Sequence, residues 1–247
     1  MNDWVKGEIV AKRQWAEGLY SLQFDAPINP FYAGQYIKVA LDVVGERIGR
    51  PYSLANPPHE RPLEIFFNEV NGGSLTASLS ALQVGDALWV TADAGGIFTL
   101  ETVQPAENLW LLATGTGLGV YLSILRTSAP WERFQRVILV HGVRQVADLA
   151  YQTLLAALQQ QHGERLQVLT AVSREAHPNA LSGRITALLS SGQLETAAGA
   201  TLTPADSHVM LCGNSAMIKD AKVILEARGL TRHRRHTPGH YTTEHYH

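Results

Sequence analysis

The sequence predicts two domains: an N-terminal antiparallel β-barrel over residues 1–100, then an α/β parallel-sheet, Rossmann-like domain over residues 101–247. Three observations predict this. The first hundred residues hold short β-rich runs closed by Gly or Pro. Beyond them, apolar strands alternate with helical segments, the mark of βαβ units. A glycine turn, "ATGTGLG" at 113–119, falls between the first of those strands and its helix.

In order, "GEIVAKRQWAEGLYSLQFD" reads as a hairpin turning at Glu17-Gly18, and "GQYIKVALDVVG", "PLEIFFNEV" and "VGDALWVTAD" as further strands. "SLTASLSAL" (74–82) is the helical exception. A short connection near residues 100–108 leads to the strand "NLWLLATG", the glycine turn and the helical "VYLSILRTS". "RVILVHGV", "RLQVLTAVS" and "HVMLCGN" are strands; "DLAYQTLLAALQQQ" and "SAMIKDAKVILEARG" are helices, the last ending at Gly229.

Composition narrows the function. The 247 residues are 45% hydrophobic and 17% charged, in the range of globular proteins. No apolar run approaches the ~20 residues of a membrane span, and the N-terminus lacks the apolar core of a signal peptide, so a cytoplasmic protein with no membrane partner is expected. A net charge of −2 argues against a nucleic-acid partner. The charge is uneven: 7 Lys/Arg stand against 11 Asp/Glu in residues 1–100, and 13 against 11 in residues 101–247. Cys212 is the only cysteine, so the chain alone can build neither a disulfide nor a cysteine-ligated iron–sulfur cluster. Five of ten histidines lie at 233–247, but their spacing gives no zinc motif, and no metal is expected.

The glycine turn suits a phosphate at a helix N-terminus, although its G-x-G-x-G pattern departs from the usual dinucleotide fingerprint. No carboxylate closes the second strand of the α/β half to hold a ribose 2′-hydroxyl. Arg144 ends it instead. Ser173 and Arg174 end the third, and Arg184 follows in "SGRI". Three arginines near strand ends suit a 2′-phosphate, which favours NADP over NAD. "RPYSLAN" (50–56) combines a cation, an aromatic face and hydrogen-bonding groups, fitting a ligand planar at one end and anionic at the other. Cys212 is expected at the C-terminal edge of the parallel sheet, where such sheets bind ligands.

"RPYS" at 50–53, "GGSLT" at 72–76, "GTGLG" at 115–119, "VSRE" at 172–175, "CGNSAMI" at 212–218 and the ending "TPGHYTTEHYH" occur together in one order. In these the chain resembles the ferredoxin–NADP⁺ reductases, most closely their bacterial flavodoxin/ferredoxin branch, over nearly its whole length. The resemblance implies an FAD-binding barrel and an NADP-binding domain. It implies that Arg50 meets the FAD pyrophosphate, with Pro51 beside it, that Tyr52 lies against the flavin and that Ser53 hydrogen-bonds near flavin N5. Phe66, Phe67, Asn68, Glu69, Ser74, Leu75 and Thr76 match further FAD contacts, and Thr116 a residue near the flavin. Val143, Arg144, Ser173, Arg174 and Arg184 match NADP-phosphate contacts, and Asn214 a cofactor contact. Tyr246 matches an aromatic ring on the flavin's other face, with His247 beside it, and Glu244 a proton or hydrogen-bond relay. Nicotinamide would stack near Cys212 and Ser53.

Three positions depart from the pattern: Val120 and Ser215 stand where members often carry proline, and His247 where relatives carry tryptophan. The implied activity is FAD-mediated hydride transfer with NADPH and one-electron exchange with a separate ferredoxin or flavodoxin, by a monomer. The basic stretch Arg228–Arg235 is the expected dock for that acidic partner. The alternative is an NADPH-dependent free-flavin or ferric-chelate reductase without a protein partner.

Overall fold

The computed structural model describes residues 3–70, 72–234 and 236–246. The chain divides into two compact units. One comprises the residues up to Thr99 together with Gly119–Thr127; the other comprises Leu100–Leu118 and the residues from Ser128 onward. The chain thus leaves the second unit at the end of the glycine turn and re-enters it at Ser128.

The first unit is a six-stranded antiparallel sheet. Its strands are β1 (Trp4–Ala16), β2 (Leu19–Asp25), β3 (Tyr36–Val43), β4 (Glu46–Ser53), β5 (Leu63–Asn68) and β6 (Ala87–Thr91), in the order β4-β3-β6-β1-β2-β5. An antiparallel bridge from Leu54 to Ile65 and the Ala55 N–H bond to the Glu64 carbonyl join the two end strands, curling the sheet into a barrel. Register shifts in β1 after Ile9 and after Gln14 add the local twist that such curling needs. The hairpin turns at Glu17-Gly18 as expected, with Gly18 at φ +69°. Alternate side chains fill the interior, among them Ile9, Leu22, Phe24, Ile37, Val39, Ile65 and Val90. Helix α1 (Ser74–Ala81) adds Leu75 and Leu79 to that core. Helix α2 (Leu118–Leu125) belongs to this unit from Gly119 onward, where the Ser123 hydroxyl donates to the Asn56 carbonyl at 2.8 Å.

The second unit is a six-stranded sheet. Its strands are β7 (Asn108–Thr114), β8 (Arg136–Val143), β9 (Leu166–Val172), β10 (Leu181–Ser182), β11 (Ser207–Asn214) and β12 (Tyr241–Tyr246), in the order β10-β9-β8-β7-β11-β12, and every pairing is parallel. Its helices are α3 (Ala129–Arg133), α4 (Gln152–His162), α5 (Ile185–Ser190), α6 (Gln193–Ala198) and α7 (Ser215–Ala227). β7 and β11 are buried along almost their whole length, which explains their unbroken apolar runs. Trp110, Leu112, Ile138, Val140, Leu211, Ile218 and Tyr241 pack one core with α5 and α7.

The connection near 100–108 is tied down from within the second unit: the Arg133 guanidinium donates to the Leu100 and Val103 carbonyls. The short elements α3, α5, α6 and β10 were not visible in the sequence, and neither were β4 and β12. β4 lacks an apolar alternation, and the tail, to which the sequence assigns no element, forms β12, in register with β11 from Val209↔Tyr241 to Asn214↔Tyr246. Among the described residues no helix is long and apolar enough to cross a membrane.

Candidate functional site

In the first unit the polar cluster sits on β4, at one end of the strand order. Arg50 pairs with Val39, Tyr52 with Ile37 and Ser53 with Tyr36. Arg50 and Pro51 are exposed, Tyr52 is half-buried and Ser53 is buried. Pro51, which lacks an N–H, is tolerated because β4 has only one hydrogen-bonded neighbour in the sheet. The Tyr52 ring stands edge-on to Phe67, centroids 6.1 Å apart, and Phe67 stacks on Tyr20 at 5.9 Å. Burial pushes the Tyr52 phenol up to about 12, against the pull of the Arg50 charge, so it stays a neutral hydrogen-bonding group.

The neighbouring predicted residues divide by burial. Phe66, Phe67 and Leu75 are 3–5% exposed; Phe67 and Leu75 belong to the barrel core, whereas Phe66, on the other face of β5, stands edge-on to Trp15 at 6.5 Å. Asn68 and Glu69 are exposed, and Glu69 Oε2 accepts the Ser80 hydroxyl at 2.7 Å. The Thr76 hydroxyl accepts the Val70 N–H at 3.0 Å and lies 3.4 Å from the Gly73 carbonyl, so it closes the loop before α1. Gly73, the N-cap of α1, offers no side-chain acceptor to the first-turn amides. Those amides, beside the exposed Ser74 and in the same unit as Arg50, are backbone donors of the kind that can bind a phosphate.

In the second unit the predicted residues gather along the C-terminal edge of the sheet. Beyond the Val143↔Val172 pair, the Ser173 N–H and hydroxyl both donate to the Val143 carbonyl, at 3.1 and 3.2 Å. The Arg174 N–H donates to the Arg144 carbonyl at 3.0 Å. Ser182 pairs with Val172, and Arg184 follows as the N-cap residue of α5. Three arginines far apart in sequence therefore leave adjacent strand ends. All three are exposed, and among the described residues none forms an ion pair. Val143 is itself buried and contributes only backbone. Sequence reasoning missed two supports of this edge: Glu175 Oε1 accepts the Val146 N–H at 2.5 Å, and Asp148 with Gln145 forms a capping box.

The glycine turn is a 3-10 turn, Gly115–Gly117, with Thr116 half-buried. A Cβ on Gly117 would lie 2.6 Å from the Cys212 carbonyl oxygen, and one on Gly213, at φ +129°, 2.2 Å from Thr114 Oγ1. Both glycines let β7 and β11 close tightly at the edge. Cys212 is fully buried, beside Ala113 on one side and Glu244 on the other. Burial raises its thiol well above the ordinary value, the Glu244 charge adds to this, and a hydrogen bond with Tyr246 opposes it. The group is a neutral thiol, not a thiolate nucleophile. Asn214 caps α7, its Oδ1 accepting from Ala216 and Met217 at 3.0 and 3.3 Å. Tyr246 and Glu244 are half-buried on β12. His247 lies outside the described residues.

Comparison with known proteins bears on both units. Residues 10–98 match the oxidoreductase FAD-binding domain and residues 111–223 the oxidoreductase NAD-binding domain. The chain is 44% identical over 247 residues to the flavodoxin/ferredoxin–NADP reductases of Escherichia coli (strain K12) and Shigella flexneri, covering 100% of both sequences in each case. The chain belongs to the flavodoxin/ferredoxin–NADP reductase family. A ferredoxin–NADP reductase of Pseudomonas aeruginosa is 34% identical, over 96% of this chain and 95% of that one. A crystal structure of a ferredoxin NADP⁺ reductase from Neisseria gonorrhoeae, with bound FAD and NADP, superposes with a TM-score of 0.94 at 29% identity, covering 99% of each chain.

The basic stretch expected to dock the partner of such a family member changes character in the structure. Arg228 is committed inward, to Glu195 Oε2 at 2.7 Å and the Leu189 carbonyl at 2.6 Å. Arg235 lies outside the described residues. Arg232 and Arg234 are exposed, but Arg232 bridges to Tyr241, at the start of β12 and the far end of that strand from Tyr246. Six strand residues put about 17 Å between the two ends.

Proposed function

We propose that this protein is an NADP-dependent, FAD-containing oxidoreductase that exchanges electrons between NADPH and a separate ferredoxin or flavodoxin. The observation that carries the reading is the full-length, 44% identity with flavodoxin/ferredoxin–NADP reductases. FAD, when bound, supplies the redox chemistry, accepting a hydride from NADPH and passing electrons on singly.

The residues of the chain bind and orient. Arg50 offers a fork of donors to one phosphate, and the first-turn amides of α1 offer backbone donors to the other. Tyr52 presents a neutral ring and hydroxyl, and Ser53 a shielded hydroxyl at the end of β4. In the second unit Arg144, Arg174 and Arg184 answer a 2′-phosphate, with the Ser173 hydroxyl beside them. Thr116 and the glycine turn admit a pyrophosphate close to backbone. The uncharged Cys212 thiol keeps a fixed negative charge away from the nicotinamide ring it would face. Tyr246 supplies an aromatic face at the sheet edge, and Glu244 one carboxylate there.

Anaerobic titration with NADPH and then with NADH, following the flavin absorbance, tests the reading. The isolated protein is expected to be yellow, to bleach with NADPH and to respond far more weakly to NADH. A colourless protein to which FAD neither binds nor bleaches with NADPH would sink it. Good turnover of free FMN without coupling to any ferredoxin or flavodoxin would move the assignment to a free-flavin reductase.

A further inference from the structure

His141 plays no part in the contacts above, yet it lies at the centre of the second unit's ligand edge. It is 0% exposed, on β8, between Ala113 of β7 and Thr170 of β9. Its Nε2 is 3.1 Å from the carbonyl oxygen of Gly115, the first residue of the glycine turn. A carbonyl only accepts, so Nε2 carries the proton, and the neutral ring leaves Nδ1 as a bare lone pair. Nδ1 is buried without a hydrogen-bond partner. A residue chosen for packing alone would avoid that cost, so the retained donor has a use.

The use follows from the turn. Gly115 adopts φ +54°, and its carbonyl already accepts the N–H of Leu118. The His141 N–H fills the oxygen's second acceptor direction. The carbonyl is thereby held toward β8, with its negative end fully satisfied inside the unit. Released, the same oxygen would be free to turn toward the ligand side, where it would repel a phosphate. Burial holds the ring neutral, lowering its value to about 4 against the opposing pulls of the Gly115 bond and Asp148, so the donor persists across ordinary pH.

We infer that His141 is a positioning residue for NADP: through its Nε2–H bond to Gly115 it fixes the glycine turn in the orientation that accepts the cofactor's pyrophosphate. The inference rests on the reading that the second unit binds NADP at this turn.

Calorimetric titration of the FAD-loaded protein separates the two claims. NADP⁺ is one probe. The other is adenosine 2′-monophosphate, which carries the 2′-phosphate for the arginines but no pyrophosphate. If wild-type protein binds neither, the NADP reading fails before His141 is tested. Given wild-type binding, His141→Leu is expected to weaken NADP⁺ about tenfold, the upper scale of one lost neutral hydrogen bond, while leaving adenosine 2′-monophosphate within about twofold. His141→Gln, whose amide nitrogen can occupy the Nε2 position, is expected to recover most of the loss. Unchanged NADP⁺ affinity in the Leu variant, equal loss of both ligands, or equal loss in the Leu and Gln variants would each overturn the inference. The ¹⁵N shifts of the His141 ring in wild-type protein give a check that needs no variant: a proton on Nδ1 in place of Nε2 would overturn it as well.

Discussion

At the scale of single residues, the proposed NADP specificity rests on exposed cations. Arg144, Arg174 and Arg184 stand at neighbouring strand ends without ion pairs among the described residues, whereas Arg228 is held by Glu195. The sequence displays both kinds of arginine identically. Runs of basic residues mark a patch; only the fold shows which side chains are already spent. Replacing Arg174 with Ala removes one charge-assisted contact to a 2′-phosphate, worth about 1.5–3 kcal/mol when shielded and less at an exposed edge. The KM for NADPH should rise roughly tenfold, and the KM for NADH, which lacks that phosphate, should stay within about twofold. Steady-state kinetics with both nucleotides decides this, and parallel losses for the two would remove the 2′-phosphate assignment.

At the scale of elements, the parallel sheet was legible because its strands are apolar runs between helical segments, and the barrel because Gly and Pro punctuate it. Of the elements that escaped notice, β4 and β12 do not carry their own signal. β4 leaves Arg50 and Pro51 exposed and packs only Ile48 and Tyr52 partly against the barrel core, so it has no regular apolar alternation. β12 is fixed by tertiary contact: Tyr241 is fully buried, its hydroxyl bonds Glu226 Oε1 at 2.5 Å, and its backbone continues the β11 register. The same dependence makes β12 sensitive to its first residue. Tyr241→Ala deletes a fully buried ring from the core and should cost about 3–5 kcal/mol. Tyr241→Phe keeps the ring and should cost no more than about 1.5 kcal/mol. Asn214→Ala removes the α7 cap where β11 meets the ligand edge and should cost about 1 kcal/mol. Urea unfolding of the three variants orders them; a Tyr241→Ala protein as stable as the Asn214→Ala protein would show that β12 is not anchored at its start.

At the scale of the whole molecule, the titratable load is divided between the units. His59, the first unit's one histidine in the sequence, is exposed. Among the described residues the second unit buries two, His141 and His208. Burial lowers His141 to about 4 and His208 to about 3. Around His208 the charges of His233, His240 and Arg133 push in the same direction, while a hydrogen bond with the Gly239 backbone pushes back. Because both folded values lie below the ordinary 6.5, an unfolded chain takes up protons that the folded one refuses. The contribution of each ring is full above about pH 6.5 and is lost progressively as the pH falls toward 4 for His141 and 3 for His208. Near pH 5 the difference approaches one proton for each ring, a slope of about 1.4 kcal/mol per pH unit per histidine. Acid should therefore loosen the second unit before the first. Hydrogen exchange at fixed, saturating FAD can follow β7 and β11 against β1 and β2 between pH 7 and pH 5. Protection in β7 and β11 is expected to fall much more steeply, and His208→Gln, which cannot titrate, should remove about half of that extra slope. Parallel loss of protection in both units, or a slope untouched by His208→Gln, would mean that the acid sensitivity lies elsewhere than in these two rings.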